Sequence, residues 1–281
     1  MKQGITKLLK KGINKNKLFK RIILFFFKKH FAYSYYQKKL SLINKWAWGD
    51  NERSNFFYDL TDLNKEHLAQ TISFLTNNKI EKVFNYFDEL LSDKELYDHL
   101  SYFLKKSPDY GSEIKFAYGR RIGWYALVRI LKPKIIVETG VDQGVGACVL
   151  SSAILRNKSE GFEGEYIGTE INPNAGKLFQ EPYKRVGRII YEDSIKTLRE
   201  INFDIDLFIN DSDHSSDYEY KEYLEIEKNL SPNAFILGDN SHVTNCLSKF
   251  SIQTKRNFIF FKEIPSNHWY PGAGIGISFK K

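Results

Sequence analysis

The segment 135–147, IIVETGVDQGVGA, constrains the fold of this 281-residue chain more than any other stretch. It begins as an apolar, β-branched run typical of a buried strand, passes through a glycine-rich loop, and leads into the helix-like sequence ACVLSSAIL. A strand, a glycine turn and a helix N-terminus commonly hold a nucleotide-like ligand at the edge of a parallel sheet. The spacing of Gly140, Gly144 and Gly146 differs from the G-x-G-x-x-G of dinucleotide-binding proteins, which disfavours an NAD-dependent oxidoreductase.

Composition favours a folded protein without a membrane span. A hydrophobic content of 42% and an aromatic content of 15% are typical of a globular chain that can bury a full core. Cys148 and Cys246 have no metal-ligand spacing, so we expect reduced core cysteines in a cytoplasmic protein. The apolar run IILFFF at 22–27 is far shorter than the roughly 20 residues of a spanning helix, and it does not resemble a signal peptide.

The net charge of +8 is concentrated in residues 1–49, which hold 13 Lys and Arg and no Asp or Glu. The remaining residues carry 29 basic and 34 acidic side chains, so a basic arm precedes a mildly acidic body. Apolar residues spaced roughly as one helical face accompany the lysines: Leu18, Phe19, Ile22, Ile23, Phe26 and Phe27. This pattern predicts a basic amphipathic arm, and an anionic surface at the inner face of the membrane is one partner that it fits. The alternatives are packing on its own body, packing on a second subunit in a homo-oligomer, or binding RNA, for which the chain has no motif.

Residues 50–114 read as a helical cap or scaffold, rich in charge and without visible chemistry. Ser92 and Glu95 have the spacing of a capping box, which predicts the start of a helix there. That helix would carry Leu96, Leu100 and Leu104 on its apolar face.

Residues 115–281 alternate strand-like and helix-like segments, which predicts βαβ units and a parallel sheet. The predicted strands are 134–138, 165–170, 188–192, 205–210 and 234–238. Two further strands, 257–264 and 274–280, are separated by a loop too short for a parallel crossover, so they should pair antiparallel. The predicted fold is α/β: a doubly wound, mostly parallel seven-stranded sheet with a C-terminal antiparallel hairpin, preceded by an N-terminal helical region.

Polar residues follow the first three strands at the edge where such sheets bind ligands. Strand one ends at Glu138 and the glycine loop, and strand two ends at Glu170, whose carboxylate can accept both hydroxyls of a ribose. Strand three ends at Asp193 and Ser194, placed to reach an adenine amino group. These endings predict a nucleoside site, although turns after strands are often polar for structural reasons alone.

The endings of strands four and five give the sharpest indication of chemistry. Asp211 follows strand four, and Asp239 and Asn240 follow strand five, so their oxygens should lie close together. Two carboxylates and an amide oxygen suit a hard divalent cation, with Mg²⁺ the favoured one. Such a cation can bind two neighbouring hydroxyls of a substrate and lower the pKa of one. Helix capping without a metal is the simpler explanation of the same residues.

Glu138-x-Gly140-x-x-x-Gly144, the acidic strand ends and the terminal hairpin resemble class I S-adenosylmethionine (SAM) methyltransferases. Region 115–281 is similar to metal-dependent O-methyltransferases of the catechol and caffeoyl-CoA type, and to sugar enzymes of the macrocin type. This resemblance assigns SAM to Glu138, Gly140, Gly144, Glu170 and Asp193, and Ser194 joins them as the neighbour of Asp193 after strand three. It assigns the metal to Asp211, Asp239 and Asn240, with Asp211 also catalytic. Where the catechol-type enzymes have a lysine, this chain has His214, a reasonable general base.

The resulting hypothesis is a cytoplasmic, SAM-dependent and metal-assisted O-methyltransferase. Its acceptor would carry vicinal hydroxyls, with a sugar of a surface glycan or glycolipid favoured and a small phenolic or polyketide metabolite as the alternative. His242, His268, Trp269 and Tyr270 are weaker candidates for contact with the acceptor. A non-catalytic SAM-fold module that binds membranes or proteins is a different class of function. Base methylation of nucleic acid is disfavoured, because NDSDH stands where amino-methylating enzymes usually carry an Asp/Asn-Pro-Pro-aromatic motif.

Overall fold

The computed structural model describes residues 17–53, 56–108 and 110–280. The chain divides into two compact units, Met1–Gly49 and Asp50–Lys281. In the first unit one helix, α1, spans Lys17–Trp48, and none of its residues is buried. The first 16 residues of the predicted arm lie outside the described residues. Within the described part of the chain, no helix is both long and apolar enough to cross a membrane.

The second unit alternates helices and strands after three initial helices. The helices are α2 (Asp62–Thr76), α3 (Ile80–Leu91), α4 (Lys94–Lys106), α5 (Arg121–Leu131), α6 (Val145–Ser159), α7 (Ser194–Glu200), α8 (Ser216–Ile226) and α9 (Cys246–Gln253). The strands are β1 (Ile135–Thr139), β2 (Glu165–Thr169), β3 (Gly187–Ile190), β4 (Ile205–Asn210), β5 (Leu230–Gly238), β6 (Asn257–Lys262) and β7 (Gly274–Phe279). All seven predicted strands are therefore present, with ends that differ from the prediction by up to four residues.

The seven strands form one sheet in the order β3-β2-β1-β4-β5-β7-β6. β1 to β5 run parallel, whereas β7 pairs antiparallel with both β5 and β6. The predicted fold class is confirmed. Thr139 is level with Thr169 on one side and with Asn210 on the other, and Asn210 is level with Gly238. The residues that follow these four strands therefore share one edge of the sheet.

Alternate strand residues pack on opposite faces of the sheet. Ile136 belongs to the core beneath α2 to α6, whereas its neighbour Val137 belongs to the core beneath α7 to α9. Both cysteines are buried, and neither forms a disulfide.

Helix α4 carries the predicted apolar face, since Leu96, Leu100 and Leu104 are all fully buried. The predicted capping box is wrong by one position. Asp93 caps α4 by accepting a hydrogen bond from the backbone N–H of Leu96 at 3.0 Å, whereas Ser92 ends the preceding helix. Because only the Ncap side chain can reach the amides of the first turn, the start at Lys94 moves the role from Ser92 to Asp93.

Candidate active site

A cavity of about 790 Å³ opens at the carboxyl ends of the strands. Its volume is within the range of about 300–1,000 Å³ that small-molecule sites occupy. Nearly every residue that the sequence predicted for the site contributes to its wall: Glu138, Gly140, Glu170, Asp193, Ser194, Asp211, His214 and Asp239. The adjacent strand ends bring these residues together, although they come from five separate stretches of the sequence.

The glycine loop after β1 has the backbone that its sequence suggested. Gly140 and Gly144 have φ values of +80° and +99°, in the left-handed region that favours glycine. Gly140 also lies against the neighbouring loop, because a Cβ at this position would stand 2.1 Å from the backbone oxygen of Asp211. Gly144 forms the N-cap of α6, so the loop presents a helix N-terminus beside the cavity.

Glu138 is a buried carboxyl in the wall of the cavity. It is 2% exposed and accepts a short hydrogen bond from the hydroxyl of Tyr166. Burial raises the pKa of Glu138 to about 7, and the bond from Tyr166 opposes part of that rise. The side chain can therefore take up or release a proton near neutral pH, depending on what binds next to it.

Glu170 joins the loops that follow β1 and β2. Its two carboxylate oxygens accept backbone hydrogen bonds from Asp142 and Asn172, each at 2.9 Å. The hydroxyl of Thr169, beside it in the cavity wall, is buried and has no hydrogen-bond partner among the described residues. An unpaired buried hydroxyl costs free energy, so this position suits a bound polar ligand.

Asp193 and Ser194 are held by protein groups as well as lining the cavity. Asp193 caps α7 by accepting from the backbone of Lys196 at 2.9 Å, and it accepts from the hydroxyl of Tyr218 at 2.7 Å. Ser194 donates a short hydrogen bond to Glu222. Tyr218 also lines the cavity beside Asp193. Their proposed contact with adenine stays a prediction.

Glu222 is the principal site-organising residue that the sequence did not reveal. Its fully buried carboxyl accepts from Ser194 and Asn210 at short range, from Ser212 at 2.7 Å and from Thr139 at 3.2 Å. These donors belong to the ends of β1 and β4 and to the start of α7. Burial raises the pKa of Glu222 to about 7, although the hydrogen bonds work in the opposite direction. Glu222 of α8 thus links the ends of β1 and β4 to the start of α7 by hydrogen bonds.

Asp211 and Asp239 do lie close together, but the cation between them is the side chain of Arg120. The guanidinium of Arg120 makes a short ion pair with Asp239 and lies 3.9 Å from the Asp211 carboxylate. Burial and the nearby Asp239 raise the pKa of Asp211 well above its ordinary value, and Arg120 counters this. Asn240 is fully buried and donates to the carbonyl of Asp213 at 3.4 Å.

The predicted metal ligands therefore do not fit a divalent ion in the arrangement that they adopt. A metal binds carboxylate oxygens at about 2.0–2.6 Å, so both carboxylates would have to face one point, and Arg120 stands at that point. Within the described parts of the chain, no group of three His, Cys, Asp or Glu side chains could hold a metal ion. The structure therefore does not confirm the divalent cation.

The three histidines named from the sequence have different surroundings. His214 is exposed at the cavity wall next to Asp213, and His242 lines the same cavity while its Nδ1 lies 3.0 Å from the carbonyl oxygen of Asp239. His268 instead lies against the buried Glu52, with 3.2 Å between Nε2 and the carboxylate. Of the three, His214 and His242 are positioned to meet a substrate.

Aromatic rings form one side of the cavity. Phe56, Tyr58 and Tyr270 line it, and the ring of Tyr270 lies 5.0 Å from Phe56 and 5.9 Å from Tyr58. Trp269 packs edge-on against Phe56 at 5.1 Å, so it supports this wall. The sequence had suggested Tyr270 and Trp269 from the hairpin loop but not the two residues that precede α2.

Comparisons with known proteins agree with this geometry. The family model described as "Methyltransferase domain" matches residues 137–241. A SAH-bound methyltransferase from Podospora anserina (SAH is S-adenosylhomocysteine) has a similar structure, with a TM-score of 0.50 and 19% identity over 67% of this chain and 88% of that one. A protein from Staphylococcus aureus, provisionally named a caffeoyl-CoA O-methyltransferase, gives a TM-score of 0.51 and 14% identity over 72% of this chain and 100% of that one. A search of curated proteins gave no match.

The strand order, the site and the family model confirm the class that the sequence predicted. The chain has the class I methyltransferase fold, and residues 137–241 match a methyltransferase domain.

Proposed function

We propose that the chain transfers the methyl group of SAM to a hydroxyl oxygen of an acceptor that carries vicinal hydroxyls, with a sugar of a surface glycan or glycolipid as the favoured class. One observation carries this proposal. A single cavity has a nucleoside-type cradle on the side of Glu138 and Glu170, and an acidic, aromatic-walled space on the side of Asp211, His214 and Tyr270.

The cradle supports SAM as the methyl donor. When bound, SAM supplies a methyl group on a positively charged sulfur, which an oxygen nucleophile can attack. Glu170 would accept the ribose hydroxyls on lone pairs that its backbone partners leave open. The unpaired hydroxyl of Thr169 offers a further polar contact. Asp193 would face the adenine amino group, and the loop from Gly140 to Gly144 would admit the ligand close to the backbone.

His214 and Asp211 are the groups proposed to prepare the acceptor. Neighbouring carboxylates at Asp211 and Asp213 can accept hydrogen bonds from two adjacent hydroxyls of a sugar. His214 would take the proton of the reacting hydroxyl while the oxygen of that hydroxyl forms the new bond to the methyl carbon. The carbon–sulfur bond breaks in the same step, and its electron pair stays on sulfur. This step does not use the predicted Mg²⁺, because Arg120 lies between Asp211 and Asp239.

The aromatic wall supports a ring-shaped acceptor. Phe56, Tyr58 and Tyr270 present apolar faces beside the carboxylates, which suits a sugar with one apolar face and polar edges. The same wall would also stack on a planar phenol, so a phenolic metabolite is the second candidate. The two classes differ in the pKa of the reacting hydroxyl, which is about 10 for a phenol such as the tyrosine side chain.

Transfer of labelled methyl from SAM to panels of sugar nucleotides, lipid-linked glycans and catechols tests the proposal. We expect a labelled ether with an acceptor from one of the two glycan panels. The His214→Gln variant should lower kcat by about 100-fold, since general base catalysis contributes about 10²–10⁴-fold. Gln cannot take up the proton, so kcat should fall. The affinity for SAH should remain unchanged, because His214 is proposed to contact the acceptor and not SAM. Product formed only from catechols would move the acceptor to the phenolic class, and no product with any hydroxyl acceptor would contradict O-methylation.

We propose a second role for the arm, as an anchor on the anionic inner face of the cytoplasmic membrane. Helix α1 supports this role through its composition, with eight Lys and Arg and no acidic residue. Its large apolar side chains are exposed, among them Phe19, Phe25 and Phe26 at 55–62%. An exposed face of this kind can insert at the headgroup level while each lysine adds about 1 kcal/mol on an anionic surface. The acceptor would then be carried on a lipid.

Vesicle sedimentation tests the anchor with the full-length protein. The protein should bind vesicles that contain phosphatidylglycerol and should not bind vesicles of phosphatidylcholine alone. Replacing Phe25 and Phe26 with serine removes apolar area without changing the charge, and replacing Lys28 and Lys29 with glutamine removes charge without removing a ring. Each double variant should weaken binding by about tenfold or more, as a loss of roughly 1.4 kcal/mol predicts. Unchanged binding in both variants would contradict the anchor.

A further inference from the structure

Arg120 lies where the predicted metal would have to be. One of its terminal nitrogens pairs with Asp239 and is 3.9 Å from Asp211, and the other is 3.6 Å from Glu263. The Arg120 side chain is only 13% exposed. The guanidinium is a permanent charge at the acceptor end of the cavity, because an arginine side chain stays protonated in proteins.

The opposite side of Arg120 is fixed by a third carboxylate, that of Glu263. Glu263 is fully buried and accepts the backbone N–H of Arg120 at 2.9 Å. Its other oxygen accepts from the hydroxyl of Tyr58 at 3.0 Å. Glu263 therefore holds both the backbone and the guanidinium of Arg120, the N-cap residue of α5.

A metal could not enter by simply turning Arg120 away. Swinging the guanidinium out would leave Glu263 buried without its counter-charge, and a buried carboxylate that loses its partner is strongly destabilising. The ring of Trp124, 5.6 Å from the guanidinium carbon, packs beside it as well. The contacts with Asp239, Glu263 and Trp124 therefore fix the position of the Arg120 guanidinium in the site.

We propose that Arg120 is the resident cation of the Asp211–Asp239 pair, so that the protein binds no divalent metal there and transfers the methyl group without one. Arg120 acts as a positioning residue: paired with Asp239, it keeps the Asp211 carboxylate in place for the acceptor hydroxyls. The metal-free transfer rests on the proposed function, whereas the assignment of the cation does not.

Mn²⁺ binding, measured by electron paramagnetic resonance on the full-length protein, tests the assignment directly. Wild-type protein should bind no Mn²⁺ tighter than about 1 mM, the range of weak oxygen-ligand sites. Arg120→Ala should uncover both carboxylates and gain one Mn²⁺ bound at least about tenfold tighter, and adding Asp239→Asn should remove that ion again. Arg121→Ala, which removes a neighbouring arginine that forms no ion pair with Asp239, should gain no Mn²⁺. One Mn²⁺ bound by the wild type and lost in Asp239→Asn would overturn the proposal, and this result needs no Arg120 variant to fold.

Activity adds a second, separate readout. Once an acceptor is found, EDTA should change the rate of methyl transfer by less than about twofold, because no metal-bound oxygen is involved. A large loss with EDTA that Mg²⁺ restores would overturn the proposal. Failure of the proposed function would look different, since SAH would not bind or no acceptor would be methylated, while the Mn²⁺ titrations would still report on Arg120.

Discussion

Replacing Gly140 with alanine should lower the affinity for SAH by about 100-fold or more, a loss of roughly 3 kcal/mol. Gly140 has a φ of +80°, and a Cβ would stand 2.1 Å from the backbone oxygen of Asp211 and 2.7 Å from the Cα of Ser212. Backbone cannot move aside as a flexible side chain can, so the loops after β1 and β4 must separate. Strain and overpacking together should also lower the free energy of unfolding by about 2–4 kcal/mol.

Gly161 offers a matched control for this substitution. It too has a positive φ, +88°, but a Cβ there would meet nothing within 4 Å. Gly161→Ala should therefore cost only the backbone strain, about 1 kcal/mol, and leave SAH affinity unchanged. Calorimetric titration of both variants with SAH separates the effect of the steric clash at Gly140 from the effect of backbone strain, which both variants share. Equal SAH affinity in Gly140→Ala and Gly161→Ala would show that the loop does not cradle the ligand.

Replacing Glu222 with leucine should lower the free energy of unfolding by about 3–5 kcal/mol, since it strands several buried donors at once. Those donors are the side chains of Thr139, Ser194, Asn210 and Ser212. For a chain of this size the melting temperature should fall by about 10 °C. Glu222→Gln keeps the volume and one acceptor oxygen, so it should cost far less. Similar melting temperatures for the two variants would contradict the role of the carboxyl as an organiser.

The same residue should make stability depend on pH in a definite direction. Its pKa is raised from 4.5 to about 7 in the folded protein, so folding favours the protonated form. The resulting stabilisation is complete below about pH 4.5 and is lost as pH rises through about 7. From pH 5 to pH 8, wild type should therefore lose up to about 3 kcal/mol relative to Glu222→Gln. Urea unfolding of both proteins measures this difference, and the ionisation of Glu138 cancels in the comparison.

The strands followed from local sequence because each strand is a short β-branched or aromatic run between turn residues. The grouping of these candidate residues followed too, because parallel strands bring Glu138, Glu170, Asp211 and Asp239 to one edge whatever packs around them. These inferences needed only the period of the pattern and the length of the connections.

The side chains that the sequence did not reveal depend on packing between distant elements. Arg120 reads as an ordinary charge at the start of a helix, and nothing local indicates that it will face Asp211 and Glu263. Glu222 did carry a signal, because Glu219, Glu222, Tyr223 and Ile226 have the spacing of one helical face and all are buried. A glutamate in a helix is normally expected to be exposed to solvent. The burial of Glu222 is explained only by the four side chains at the strand ends that donate hydrogen bonds to it.

The binding of SAH to the wild-type protein tests the central claim most directly, that the strand ends form a SAM site. Calorimetric titration should give one SAH per chain, and titration with NAD under the same conditions should give no heat of binding. A chain that binds NAD and leaves SAH unbound would contradict the account.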